Sequence, residues 1–79
     1  MSNESKYKYI FIKSLVIDDK KFNEKIQYND IPEWDSIGHM TLISGLEEEF
    51  KITMDTDDIV DFASFKKGFE ILNKYGVKF

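Results

Sequence analysis

The sequence contains no cysteine and only one histidine, His39. Without cysteine, the chain can form neither a disulfide framework nor a thiolate metal site. A single histidine cannot build a zinc site by itself, and it leaves little with which to pair a catalytic nucleophile and a base. We therefore predict neither a metal site nor a catalytic residue.

Long apolar runs and an excess of basic residues are also missing. No run approaches the roughly 18 apolar residues that cross a bilayer, and residues 1–6 lack the basic and apolar pattern of a secretory signal. Fifteen acidic residues against eleven basic ones give a formal charge of −4. This charge disfavours nucleic acid and anionic membranes and suits a partner with a basic patch. We predict a cytoplasmic protein without a membrane span.

The chain has 79 residues, of which 42% are hydrophobic. This length suffices for one small hydrophobic core and leaves no room for a second one. The apolar content is high enough for folding rather than disorder. We predict a single domain over residues 1–79.

Hydrophobic spacing predicts an all-α bundle of three principal helices and one short helix. The first helix covers about residues 4–17. Its residues 7–12 would also suit a strand, but the segment is long for a strand and nothing later offers a pairing partner. The second helix covers residues 36–50 and a brief third one residues 56–60. Ser64 caps the last helix, which ends near Tyr75.

A long connection separates the first two helices and holds the only proline of the chain. Long loops are unusual in compact domains and are often functional. Apolar residues are scattered through this one, so we expect it to lie pinned across the core. Trp34, at its end, is interpreted as its anchor.

The second helix has two different faces. At about 100° per residue, one arc of the helix forms the predicted core face and contains His39, Leu42, Ile43, Leu46 and Phe50. His39 on this face is interpreted as a packed or hydrogen-bonded residue. The opposite face mixes apolar residues with carboxylates and contains Ile37, Met40, Thr41, Ser44, Glu47 and Glu48. This mixture is unusual for a face that meets only water.

Ser36 stands directly behind Asp35 at the start of this helix. Asp35 can cap the helix, and the free N–H groups and dipole of a first turn favour a phosphate. A hydroxyl exposed at this point is suited to modification. Serine is also a common helix cap, so the residues alone leave both interpretations open.

The segment Trp34-Asp-Ser-Ile-Gly-His-Met40, followed by Leu46-Glu-Glu-Glu-Phe50, resembles the acyl and peptidyl carrier protein family. The likeness continues through residues 55–59 and loosely into residues 65–72. It implies a small four-helix carrier bundle. It also implies that a phosphopantetheinyl transferase attaches 4'-phosphopantetheine from coenzyme A to Ser36, between Asp35 and Ile37.

The resemblance further implies a carrier that is a substrate of other enzymes and not itself an enzyme. The arm would hold an acyl or aminoacyl group as a thioester, loaded by a ligase and passed to a downstream acyltransferase or synthase. A carrier of this kind is expected to work as a monomer. Docking to these partners would use Ile37, Met40, Thr41, Glu47 and Glu48. A small cavity for the cargo is expected near Ile37, Met40, Ile59 and Phe62.

Other interpretations remain open at this point. Gly38 and Thr41 stand where carriers of fatty-acid synthesis usually have acids, which favours a specialised pathway or an aminoacyl or D-alanyl-type carrier. A helical interaction module in which Ser36 is only a cap is a second possibility. A small enzyme is a third, with a divalent cation bound by Asp55, Asp57 and Asp58, although these residues lack the glycine-containing spacing of a calcium loop.

Overall fold

A computed structural model describes residues 2–79 and contains four helices. They are α1 (Asn3–Leu15), α2 (Ser36–Phe50), α3 (Thr56–Asp61) and α4 (Phe65–Lys74). The predicted all-α bundle of three principal helices and one short helix is confirmed. The only β-type pairing among residues 2–79 is an isolated bridge between Gln27 and Ser64. None of the helices in this part of the chain is long and apolar enough to cross a membrane.

Residues 7–12, whose composition also suited a strand, belong to α1. Ser2 caps this helix because its hydroxyl accepts a hydrogen bond from the N–H of Ser5 at 3.1 Å. The helix ends two residues before the predicted limit. Val16 adopts a left-handed conformation with φ 53°, and its N–H returns to the carbonyls of Ile12 and Lys13. This arrangement closes the helix in the manner of a left-handed cap.

The core is built around aromatic rings that α1 and α4 contribute. Tyr7 is fully buried and stacks on Phe65 with ring centroids 4.5 Å apart. Its hydroxyl donates to the backbone carbonyl of Phe65 at 2.7 Å. Burial raises the pKa of Tyr7 well above its ordinary value, so the hydroxyl remains a donor. The rings of Phe11 and Trp34 pack edge to face with their centroids 5.0 Å apart. This contact extends the aromatic core toward the long loop.

The long loop is pinned across the core, as predicted. Ile26 and Trp34 are 1% and 0% exposed. The backbone N–H of Phe65 donates to the carbonyl of Ile26 at 3.0 Å, and the N–H of Tyr28 donates to the carbonyl of Ala63 at 2.8 Å. These bonds fix the loop against the start of α4 and the segment directly before it. Trp34 is therefore held in the interior immediately before α2 begins.

The predicted core face of α2 is confirmed for Leu42, Ile43 and Leu46, which are at most 1% exposed. Phe50 is only half-buried because it is the last residue of the helix. Ser64 caps α4 as predicted, since its hydroxyl accepts from the N–H of Lys67 at 2.9 Å. The bundle thus leaves the opposite side of α2 free for contact with solvent or a partner.

A buried carboxylate fastens α3 to the end of α4. Asp58 is 8% exposed, and each of its carboxylate oxygens accepts from Lys74 Nζ at 3.0 Å. The Tyr75 hydroxyl also donates to Asp58, and it accepts from the N–H of Asp55 at 2.8 Å. The hydrogen bond from Tyr75, followed by that from Lys74, lowers the pKa of Asp58 below its ordinary value. Asp58 is therefore charged in the folded protein at neutral pH.

We expect Asp58 to make stability depend on pH. Because the folded pKa lies below the unfolded value of about 3.9, its contribution is complete above that value and is lost as the pH falls through the folded pKa. Asp58→Asn should therefore lower the Tm at neutral pH, and the gap to the wild type should shrink below about pH 4. Thermal unfolding followed by circular dichroism measures this gap.

Asp57→Asn is the matched control for this prediction. Asp57 lies beside Asp58 in α3, is exposed, and its side chain makes no hydrogen bond within residues 2–79. Its substitution should leave the pH dependence of the Tm close to that of the wild type. A gap between Asp58→Asn and wild type that stays constant down to strongly acidic pH would contradict the prediction.

Candidate functional site

Ser36 is the first residue of α2 and is exposed. The cap position belongs to Asp35, whose carboxylate accepts from the N–H of Gly38 at 2.8 Å. The carbonyl of Asp35 accepts from the N–H of His39 at 2.8 Å. The predicted cap role of Asp35 is confirmed, and Ser36 is therefore not itself the cap. The Ser36 hydroxyl makes no hydrogen bond within residues 2–79, so it is free to react.

Two further groups of this turn have no partner in the described part of the chain. The backbone N–H groups of Ser36 and Ile37 make no hydrogen bond within residues 2–79. Free N–H groups at a helix start, together with the helix dipole, favour a phosphate. The carboxylate of Asp35 adds a negative charge nearby, but one of its oxygens is bound by Gly38. The two free N–H groups are thus the feature of this turn that suits a negatively charged substituent on Ser36.

Gly38 allows the end of the loop to approach the helix closely. A Cβ atom at this position would overlap the backbone carbonyl oxygen of Glu33 and lie 3.2 Å from Leu15 Cδ2. Any larger residue would push the loop away from the first turn of α2. Glycine is therefore needed here for backbone packing beside Ser36.

An apolar groove begins at Ser36 and runs between α2 and α3. Its volume is about 370 Å³. Its lining consists of Tyr28, Ser36, His39, Met40, Ile59, Val60, Phe62 and Ala63. Three of the four residues expected around a cargo cavity (Met40, Ile59 and Phe62) line the groove, whereas Ile37 does not.

The remaining apolar lining was missed by sequence analysis. Tyr28 reaches the groove because its N–H binds the carbonyl of Ala63 across the loop. Val60 lies on α3 and is 73% exposed. A helical pattern over the six residues of α3 is too short to assign its faces. Only the packing of the loop against α3 reveals these residues as neighbours.

His39 lies at the base of the groove and links three segments. Its Nδ1 atom accepts from Trp34 Nε1 at 2.9 Å, and its Nε2 atom lies 2.8 Å from the carbonyl oxygen of Ile59. An indole N–H can only donate, so Nδ1 is the acceptor and Nε2 carries the hydrogen that binds Ile59. The interpretation of His39 as a packed, hydrogen-bonded residue is confirmed.

The exposed side of α2 agrees with prediction except at one residue. Ile37 and Met40 are 77% and 53% exposed, and Glu48 is also exposed. Thr41 is exposed, and its hydroxyl donates to the carbonyl of Ile37 at 3.1 Å.

The predicted exposure of Glu47 is wrong. It was expected on the exposed face of α2, but it is half-buried and its Oε2 accepts from the N–H of Met54 at 2.8 Å. The buried Met54 draws the connection after α2 back against the helix. Glu47 therefore fixes the link between α2 and α3 and offers less of its charge to a partner.

Charge is distributed unevenly along the chain. Residues 35–61, which include α2 and α3, contain eight acidic residues and one lysine, a net charge of −7. The other residues carry +3 of the total of −4. The part of the molecule that bears Ser36 and its groove is thus strongly negative. Such a field attracts a basic surface and raises its rate of association.

Three acidic residues in and directly before α3 formed the cation site left open by the sequence. Within residues 2–79, no group of three or more histidine, cysteine or acidic side chains is arranged to hold a metal ion. Among Asp55, Asp57 and Asp58, the carboxylate of Asp58 is occupied by Lys74 and Tyr75. These three acids do not converge on a common point.

No family model, no curated protein and no solved structure matches this chain. The chemistry of the site must therefore be inferred from Ser36, the turn that carries it and the groove beside it.

Proposed function

We propose that this protein is an acyl carrier protein that bears 4'-phosphopantetheine on Ser36 and delivers an acyl or aminoacyl group to partner enzymes. The observation that carries the proposal is the exposed, unbonded hydroxyl of Ser36 at the start of α2, on the edge of an apolar groove. The sequence around Ser36 resembles the attachment segment of carrier proteins. A specialised pathway is favoured because Gly38 and Thr41 replace the acids usual in fatty-acid synthesis.

Attachment needs a hydroxyl that a phosphopantetheinyl transferase can reach. In the proposed step, the oxygen of Ser36 bonds to the phosphorus nearer to the pantetheine in coenzyme A. The phosphoanhydride bond breaks, adenosine 3',5'-bisphosphate leaves, and the hydroxyl proton passes to a base on the transferase. The free N–H groups of Ser36 and Ile37 would hold the resulting phosphodiester, and Asp35 keeps the turn in place by binding Gly38.

The residues present fit this group. The arm, once attached, would supply a thiol for thioester formation, which this cysteine-free chain lacks. Apolar side chains such as Met40, Val60 and Phe62 line the groove beside Ser36 and would shield an apolar cargo from water. The protein's contribution is to position the cargo and exclude solvent.

Partner enzymes would dock on the surface around Ser36. Ile37, Met40 and Val60 are each more than half exposed and provide apolar contact. Exposed large apolar residues grouped near one reactive side chain are typical of an interaction site. The net charge of −7 on residues 35–61 would steer a loading ligase or acyltransferase with a basic patch toward this surface.

Incubation with coenzyme A and a promiscuous phosphopantetheinyl transferase tests the proposal. Intact-mass spectrometry should show a gain of one phosphopantetheinyl group on the wild type and none on Ser36→Ala. Ser44→Ala is the matched control, since Ser44 is also exposed on α2 and its hydroxyl makes no hydrogen bond within residues 2–79. It should be modified like the wild type. No gain on the wild type, or a gain that survives in Ser36→Ala, would refute the proposal.

A further inference from the structure

The two hydrogen bonds of His39 join the segment that carries Ser36 to the far wall of the groove. Trp34, two residues before Ser36, is fully buried, and its indole N–H is bound by Nδ1 of His39. Ile59 lies in α3 and lines the groove. One imidazole ring therefore connects the attachment turn with α3.

Ile59 depends on His39 for a hydrogen-bond donor. In a longer helix, its carbonyl would accept from the N–H of Ala63, four residues later. The N–H of Ala63 instead donates to the carbonyl of Asp61 at 2.7 Å. Nε2 of His39 supplies the missing donor at 2.8 Å. The ring thus satisfies a carbonyl that the short α3 leaves open.

Only the neutral ring can make both bonds. Histidine is the side chain whose charge ordinarily changes between about pH 5 and 8. Protonation of His39 would place a hydrogen on Nδ1, opposite the indole N–H of Trp34. Two donors would then face each other, and the buried indole would lose its acceptor. The bond from Nε2 to Ile59 would survive, so the change would act on the attachment turn.

No carboxylate within residues 2–79 hydrogen-bonds to the His39 ring. The Tyr28 ring meets the imidazole edge-on at 5.5 Å. The titratable residues of the loop segment 28–35 and of α3, which contact the ring, are Tyr28, Asp30, Glu33, Asp35, Asp57, Asp58 and Asp61. Asp30 accepts from the N–H of Gln27, and Glu33 is paired with Lys21. Asp35 is bound by Gly38 and Asp58 by Lys74 and Tyr75. The hydrogen bonds to Trp34 and Ile59 therefore determine which protonation state of the imidazole this site accommodates.

We propose that His39 is a proton-sensitive positioning residue, whose neutral ring holds the attachment turn against α3 and whose protonation releases Trp34. The hydrogen bond between His39 and Trp34 can be tested independently of what the protein does. Its consequence, slower modification of Ser36 at low pH, rests on the proposed carrier function.

Nuclear magnetic resonance tests the link directly, because the chain has one tryptophan and one histidine. The indole N–H signal of Trp34 and the ring C–H signals of His39 should shift together during acidification. In His39→Asn, the amide oxygen can accept from the indole but does not titrate, so the shift of the indole signal should disappear. An indole signal that stays unchanged throughout acidification of the folded protein would overturn the proposal.

The rate of Ser36 modification tests the consequence. The wild-type rate divided by the His39→Asn rate at each pH cancels the pH dependence of the transferase itself. We expect this ratio to fall several-fold as the pH is lowered and the indole signal of Trp34 shifts. If Ser36 is modified in both proteins and the ratio of their rates does not change with pH, the positioning role is refuted.

If neither protein is modified, the carrier function is refuted instead. The resonance experiment would still test whether protonation of His39 breaks its hydrogen bond with Trp34. His39→Ala should be modified more slowly than His39→Asn at neutral pH, because alanine accepts no bond from Trp34. Equal rates for these two variants would count against the role of the Trp34 bond.

Discussion

Replacing Gly68 by alanine should destabilise the protein by about 3 kcal/mol, at the upper end of the cost of overpacking. Gly68 is buried in α4, where its backbone lies against Tyr7 and Phe62. An added Cβ would overlap the Tyr7 hydroxyl and lie 2.5 Å from Phe62 Cζ. Both rings are fully buried, so neither can swing aside. Urea denaturation of wild type and variant measures the free energy of unfolding.

A double-mutant cycle with Tyr7→Phe identifies the cause. In the wild type, this change removes the hydrogen bond from Tyr7 to the Phe65 carbonyl and should cost about 1–3 kcal/mol. In Gly68→Ala it also removes the atom that the new methyl group overlaps, so it should cost less. Additive costs would contradict a direct collision between residues 7 and 68.

The sequence predicts this bundle well where packing follows helical periodicity. Leu42, Ile43 and Leu46 recur on one arc of α2, and that arc is buried. Residues 7–12 are ambiguous by composition, but their length and the lack of a pairing partner identify a helix. The predicted end of α1 was two residues too late. Val16 closes the helix in a left-handed conformation, which β-branched residues rarely adopt and which its residue type therefore does not predict.

The candidate site was predictable only in part, because it combines a local motif with contacts between distant segments. The Asp35 cap and the exposed Ser36 follow from local helix chemistry. Glu47 was misassigned because its partner is the backbone N–H of Met54, in a connection without periodicity. The bond from His39 to Ile59 spans twenty residues and depends on the position of α3. Helical spacing cannot supply either contact.

Gly38→Ala should destabilise the protein by about 2–4 kcal/mol and slow the modification of Ser36. The added methyl group would overlap the backbone carbonyl of Glu33, which cannot rotate away as a side chain can. Moving that carbonyl displaces Trp34 and Asp35, so the buried indole bond and the helix cap are both weakened. The effect therefore reaches the reactive turn as well as overall stability.

Gly45→Ala is the matched control on the same helix. A Cβ at Gly45 would lie 3.0 Å from Ser14 Oγ and 3.2 Å from Ile10 Cγ2, so these side chains need to move by only a few tenths of an ångström. The gain of about 1 kcal/mol in helix propensity offsets this crowding, so stability should change little. Modification of Ser36 should also proceed at the wild-type rate in Gly45→Ala. If Gly38→Ala behaves like Gly45→Ala in both measurements, the close approach of the loop to α2 does not position Ser36, and the turn owes its geometry to Asp35 alone.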